Sequence, residues 1–328
     1  MSRFDVVAIG NALVDVLSYE DDDFVVRTGV ERGAMTMVDA ARSDEIYEQM
    51  GPAREVSGGS AANTAAGVAS FGGRAAFFGR TADDTFGKVY AHDLRSIGVH
   101  FDSPAAADGD PTGRCLVIVT PDAQRTMCTY LGTGGALDRS YVDEAVVESA
   151  AVTFIEGYMW DQPPAKEAIR HAADVAHRAD NRVALTLSDP FCVERHRAEF
   201  RELIEGKIDI LFANEVEIMS LYEVDTFDEA LQHVKGHCEI AALTRGASGS
   251  VIVAGDEVHV IDAAPAKVVD TTGAGDLYAA GFLYGFTHGR DLATSGRLAS
   301  LAAGEIISHL GARPEQSLAE LAKPLLGA

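Results

Sequence analysis

The sequence predicts an α/β protein built on a doubly wound, mostly parallel sheet, with a small β-sheet lid. Three observations carry that expectation. Short apolar runs alternate with longer amphipathic ones along most of the chain, the pattern of a parallel sheet covered by helices on both faces. Two regions, 11–38 and about 100–135, break the rhythm with alternating strands and few helix signals. The chemically distinctive residues gather where apolar runs end, and ligands of open α/β sheets bind there.

The elements follow in order. Predicted strands of the main sheet are FDVVAIG (4–10), RAAFFG (74–79), AVTFIEG (151–157), VALTLSD (183–189), IDILFAN (208–214), IAALTRG (240–246) and SVIVAG (250–255). Amphipathic helices fall between them at 39–50, 85–98 and 163–179, and DDD (21–23) reads as a solvated helix start. GRCLVIVTPD and AQRTMCTYLG, joined by a TPDAQ turn, pair with AREVS (53–57) in a small separate sheet. Drawn from about 11–38, 52–57 and 100–135, that sheet suits a lid over a ligand cleft. The chain, 1–328, reads as one domain carrying this appendage.

Composition narrows the partners. With 47% hydrophobic and 23% charged residues over 328 positions, the chain has ample core material. Fifty acids against 27 bases leave a net charge of −23, which argues against nucleic acid or an anionic membrane as partner. Any phosphorylated ligand must then be held by backbone amides, single cations or a metal. The four cysteines form no CxxC pair, so reduced thiols in a cytoplasmic protein are expected. The N-terminus opens on an apolar strand in place of a signal peptide, and LYAAGFLYGF (277–286) is far too short to span a membrane. The ten histidines show no metal-binding spacing. Monomer and homodimer are both open.

DTTGAGD (270–276) sets two acids around the turn Gly273-Ala274-Gly275 and leads into a buried helix. Glycines at a helix N-terminus leave free amides where the dipole favours an anion. Asp276 is either a plain N-cap or an acid placed to accept a hydroxyl proton beside that anion hole. Dinucleotide binding fits poorly: after Gly273 and Gly275 the next glycine is Gly281, so GxGxxG is incomplete, and no GxxxxGK[ST] loop occurs. In GGSAANTAAGVASFGG (58–73), Ala61, Ala65 and Ala69 suit close helix packing. Gly58, Gly59 and Asn63 suit a backbone brought close to a small polar ligand, with an amide to bond hydroxyls. Asn11, Asp15, Asn214 and Thr244-Arg245-Gly246 join them at strand ends. Ser60 has no His–acid partner motif, which disfavours a hydrolase. Trp160 suits the cleft rim and the core equally.

GGSAANTAAGVASFGG followed by FFGRTADDTFG, and downstream DTTGAGDLYAAGFLYGF, resemble the two signature regions of the ribokinase-like (PfkB) carbohydrate kinase family, in matching order and spacing. GNALVDVL, EGYMWD and SDPFCVERHR are most similar to bacterial members of adenosine kinase type. The resemblance implies that Asp276 is the base and that the amides of Gly273, Ala274 and Gly275 bind the γ-phosphate. It implies that Asn11, Asp15, Gly58, Gly59 and Asn63 hold the acceptor, and that Thr244, Arg245, Gly246 and Gly249 lie along ATP. NEVE (214–217) matches an NxxE motif, so that Asn214 and Glu217 organise Mg²⁺ through water. Asp270 and Thr272 match a loop that in some members contacts K⁺, completed near Gly311.

The expected activity is ATP-dependent phosphorylation of a nucleoside 5′-hydroxyl, adenosine favoured. A ribokinase or other sugar kinase is the alternative, since side chains around Tyr130 and Leu131 would decide the acceptor. A non-catalytic ligand-binding regulator is the alternative of another class, and an NAD-dependent oxidoreductase is third.

Overall fold

The computed structural model describes residues 3–33, 35–122 and 124–327; Ala34 and Ala123, inside the predicted lid stretches, lie outside the described residues, as do the chain's first two residues and its last. Thirteen strands are described: β1 (Phe4–Ile9), β2 (Leu13–Tyr19), β3 (Met35–Met37), β4 (Ala53–Gly58), β5 (Ala75–Phe78), β6 (Thr112–Val119), β7 (Arg125–Gly132), β8 (Ala150–Glu156), β9 (Arg182–Thr186), β10 (Ile210–Asn214), β11 (Ile240–Thr244), β12 (Ser250–Ala254) and β13 (Glu257–Ile261). Eight form one sheet in the order β5-β1-β8-β9-β10-β11-β12-β13. It is parallel from β5 to β11, and β12 and β13 are added antiparallel.

Alternation along each strand feeds two cores. On β1, Val6 and Ala8 face one cluster with Ala65, Leu277, Phe282 and Leu298, while Val7 and Ile9 face another with Ile169, Phe200 and Ile218. The first cluster is built by the helices Ser60–Ser70, Ala274–Thr287 and Leu292–Ile306, the second by Pro163–Arg178, Pro190–Lys207 and Glu215–Tyr222. The helices of the first layer approach closely because they are made of small residues. A Cβ on Gly281 would stand 2.5 Å from the Leu298 carbonyl oxygen. Ala61 and Ala65 are fully buried and Ala69 half-buried, as close packing requires. Trp160 is also core: it is fully buried, packs on Phe200 and donates to Glu199 Oε2 at 3.0 Å, so it does not line the cleft.

The remaining strands form a five-stranded sheet, β3-β7-β6-β2-β4. Its Val14, Val16, Leu116 and Ile118 pack with Phe24 and Ile46 from the helices Asp22–Thr28 and Ala40–Tyr47. Asp21 caps the first of these, its carboxylate accepting the Phe24 amide at 2.8 Å. The opposite face carries Cys115, Val117, Val119, Leu17 and Met127. Register places Asp15 of β2 beside Cys115, and Arg125 of β7 beside Val119, on that same face. Asp15 therefore sits inside a strand of the smaller sheet, not at a strand end as its spacing from β1 suggested.

Candidate active site

The helix Ala274–Thr287 starts at Gly273, whose φ of 76° lies in the left-handed region that favours glycine. Asp276 is the third residue of that helix, so it is not the N-cap that one sequence reading made it. Its carboxylate accepts Ser60 Oγ at 2.6 Å and Asn63 Nδ2 at 2.8 Å, both from the first turn of Ser60–Ser70. Removal from bulk water raises the Asp276 carboxyl above the ordinary aspartate range; the bonds from Ser60 and Asn63 and the charge of Arg313 work the other way. Ser60, which has no hydrolase partner motif in the sequence, bonds to Asp276 across 216 positions.

Beside this carboxylate the helix start is open. Among the described residues the amides of Gly273 and Gly275 donate to no protein acceptor, and no side chain caps the helix. The Ala274 amide differs, donating to the Thr271 carbonyl at 3.2 Å. Of the three amides expected to bind phosphate, two are therefore free. A Cβ on Gly275 would meet nothing within 4 Å, so the backbone there faces open space that a side chain would fill.

Of the residues expected to hold the acceptor, the glycine pair makes room for the protein itself. A Cβ on Gly59, whose φ is 91°, would lie 2.1 Å from the Asn11 carbonyl oxygen, and one on Gly58 would lie 2.4 Å from the Asp15 carboxyl. Asn11 follows β1, and its backbone N–H and Nδ2 both donate to Glu156 Oε1, at 2.8 and 2.7 Å. Glu156 Oε2 accepts the Ala61 amide at 2.9 Å. Only 1% exposed at the end of β8, Glu156 is pushed by burial up to about 7, as is Asp15. Asn63 Oδ1 is buried with no partner among the described residues, a free acceptor next to Asp276. Asp15, Leu17, Val56, Ser57, Ala312 and Arg313 are among the residues lining a cleft of about 420 Å³ between the smaller sheet and the 310–315 segment.

Of the residues expected along ATP, Asn214 ends β10 and caps the helix Glu215–Tyr222. The Glu217 amide donates to Asn214 Oδ1 at 2.9 Å, while Glu217 accepts the Asn214 N–H at 2.9 Å and Nδ2 at 2.6 Å. Burial pushes Glu217 up to about 7. The NxxE spacing is thus a capping box as well as a candidate water-mediated magnesium site. Thr244 ends β11, and Gly246 and Gly249 take φ of 54° and 79° in the turn that follows. Arg245 lies 3.1 Å from Glu215 and 4.3 Å from the Phe227 ring centre, so any phosphate contact it makes competes with that ion pair.

Asp270, expected beside a monovalent cation, already has one. The Arg125 guanidinium pairs with its carboxylate and also donates to Thr272 Oγ1. The amides of Thr272 and Gly311 complete the set, each at 3.0 Å from Asp270. Among the described residues no group of three or more His, Cys, Asp or Glu is placed to hold a metal, and no helix is long and apolar enough to cross a membrane.

Residues 33–318 match the profile of the pfkB family carbohydrate kinases. The chain belongs to this family. Like other pfkB kinases it is an ATP-dependent kinase, and its relatives act on sugars or nucleosides. An adenosine kinase from Sinorhizobium meliloti is 49% identical with a TM-score of 0.92, over 98% of this chain and 99% of that one. A probable sugar kinase from Rhizobium etli is 48% identical with a TM-score of 0.93, over 99% of both chains. A 5-dehydro-2-deoxygluconokinase from Bacillus velezensis is 26% identical, over 93% of this chain and 89% of its own. Kinases of this family use ATP with Mg²⁺, and the open amides beside Asp276 suit a phosphate. Glu156, Arg125 and Arg313 contact residues of the candidate site and were not singled out in the sequence. EGYMWD did mark the neighbourhood of Glu156.

Proposed function

We propose that this pfkB kinase transfers the γ-phosphoryl group of MgATP to the 5′-hydroxyl of a nucleoside, with adenosine the favoured acceptor. The observation that carries the reading is the Asp276 carboxylate, steadied by Ser60 and Asn63 beside the free amides of Gly273 and Gly275. Asp276 takes the hydroxyl proton as the acceptor oxygen bonds to phosphorus, and ADP leaves. Asp15 and the unpartnered Asn63 Oδ1 offer acceptors for a ribose diol and its neighbouring hydroxyl. The free amides suit the oxygens of the transferring group. Asn214, Thr244, Gly246 and Gly249 would lie along the nucleotide, and Glu217 would hold Mg²⁺ through water, where the ion would supply positive charge to the phosphates. The smaller sheet is the lid.

The adenosine acceptor is supported by the likeness to the Sinorhizobium meliloti adenosine kinase, about half identical over nearly the whole chain. The likeness to the Rhizobium etli probable sugar kinase and to the Bacillus velezensis 5-dehydro-2-deoxygluconokinase supports the alternative, a sugar acceptor. ADP release from MgATP, measured against adenosine, other nucleosides, ribose, fructose and 5-dehydro-2-deoxygluconate with Asp276→Asn as control, separates the two. Turnover confined to nucleosides and lost in the control supports the proposal; turnover confined to sugars overturns it.

A further inference from the structure

Arg313 lies in none of the motifs, yet its guanidinium spans the turn on which the acceptor side is built. Nε and Nη2 donate to the Ser57 carbonyl at 3.0 and 2.7 Å, Nη2 also to Ser57 Oγ at 3.0 Å, and Nη1 to the Ala62 carbonyl at 2.6 Å. Ser57 belongs to β4 of the smaller sheet, whereas Ala62 is in the first turn of Ser60–Ser70. Between them is only Gly58-Gly59-Ser60-Ala61. One planar side chain therefore bridges the two arms of the connection that joins sheet to helix.

The rest of that connection is equally committed. Asp93 Oδ2 accepts the Ser57 N–H at 2.8 Å and its Oγ at 2.5 Å, and the Tyr90 hydroxyl donates to the Gly58 carbonyl at 3.3 Å. Arg313 itself is held on both sides. The Gly311 amide donates to Asp270 at 3.0 Å, and the amides of Glu315 and Gln316 donate to Glu305 Oε1 at 3.0 and 2.9 Å. The segment 311–316 thus links the loop before the anion hole to the turn before Ser60.

We propose that Arg313 is a positioning residue: it holds the Gly58-Gly59 turn at a set angle to the helix Ser60–Ser70, and through Ser60 and Asn63 it aims the Asp276 carboxylate at the acceptor. The aiming rests on Asp276 being the base; the clamp does not. A guanidinium is required because the two carbonyls lie at different edges of the fork, and the single nitrogen of lysine cannot serve both arms.

The test compares the full-length wild type with Arg313→Lys, Arg313→Met and Asp276→Asn, using steady-state kinetics on the acceptor panel and backbone hydrogen exchange. For Arg313→Lys we expect kcat to fall on the order of tenfold to a hundredfold, as misaligned reacting groups do, with KM for MgATP and the thermal midpoint near wild type. Exchange should speed up at residues 57–63 and stay unchanged elsewhere, and Asp276→Asn should leave that exchange as in wild type. Full kcat in both Arg313 variants overturns the aiming, and exchange raised evenly through the chain overturns the clamp. If wild type phosphorylates none of the acceptors, the activity reading fails by itself, and the 57–63 exchange still decides the clamp.

Discussion

Glu156 Oε1 accepts two hydrogen bonds from one residue, the backbone N–H and the side-chain amide of Asn11. With the Ala61 amide on the other oxygen, a single carboxylate joins the end of β1, the end of β8 and the start of Ser60–Ser70. Glu156→Gln must turn an NH₂ group toward one of these donors. We expect a loss of about 1–3 kcal/mol for the buried donor left unpaired, read as a lower urea midpoint at unchanged m-value.

Stability of the ligand-free protein should fall as pH rises from about 4.5 toward 7. Asp15, Glu156 and Glu217 are each raised to about 7, from 3.8, 4.5 and 4.5. A group with its folded pKa above its unfolded value binds more protons when folded through that window, so its contribution is complete below the unfolded value and lost through the folded one. Urea titrations at pH 5 and pH 8 check this. Asp15→Asn and Glu217→Gln should each flatten the decline, and an unflattened decline would remove these carboxylates as its cause.

Asp276→Asn should cost roughly a hundredfold to ten-thousandfold in kcat while leaving the thermal midpoint in place. Ser60→Ala is the finer probe. The serine hydroxyl stabilises the ionised Asp276, so its loss raises that carboxyl further and moves the acid limb of the kcat profile to higher pH. A limb that stays put would mean another group sets it.

Gly275→Ala should separate stability from activity. Its Cβ meets no protein atom within 4 Å, and alanine in a helix gains roughly 0.5–1 kcal/mol over glycine. The same methyl group stands where a phosphate would approach the backbone, so kcat/KM for MgATP should drop while the unfolding midpoint rises. Retained kcat/KM would place the phosphate elsewhere.

Potassium should be dispensable. Arg125 already supplies the positive charge at Asp270 and Thr272, so initial rates in potassium and choline chloride should match. Arg125→Gln leaves the Asp270 carboxylate buried without its cation, a change of about 3–5 kcal/mol for a buried pair. Marked potassium stimulation of the wild type would refute the substitution of guanidinium for metal ion.

What could be read from the sequence was local. The parallel strands are apolar runs, and the GAG turn keeps its chemistry within seven residues. β13 escaped notice because EVHVI alternates as an exposed edge strand with only Ile261 buried, and three-residue β3 is too short to signal. Arg125, Glu156 and Arg313 escaped for another reason. Arg125 meets Thr272 across 147 positions, Asn11 meets Glu156 across 145 and Arg313 meets Ser57 across 256, and no periodicity or motif spacing encodes such pairings. Asp15 fell between: its type drew attention, but its strand belongs to the other sheet.

That placement of Asp15 would, under the proposed roles, separate selection from transfer. The residue proposed to grip the acceptor rides on the five-stranded sheet, whereas Asp276 and the open amides ride on a helix of the eight-stranded one. Substitutions on one face of the smaller sheet can then retune what is phosphorylated without disturbing how. This chain's likeness to relatives named for a nucleoside and for a modified sugar acid is the diversity such an arrangement permits.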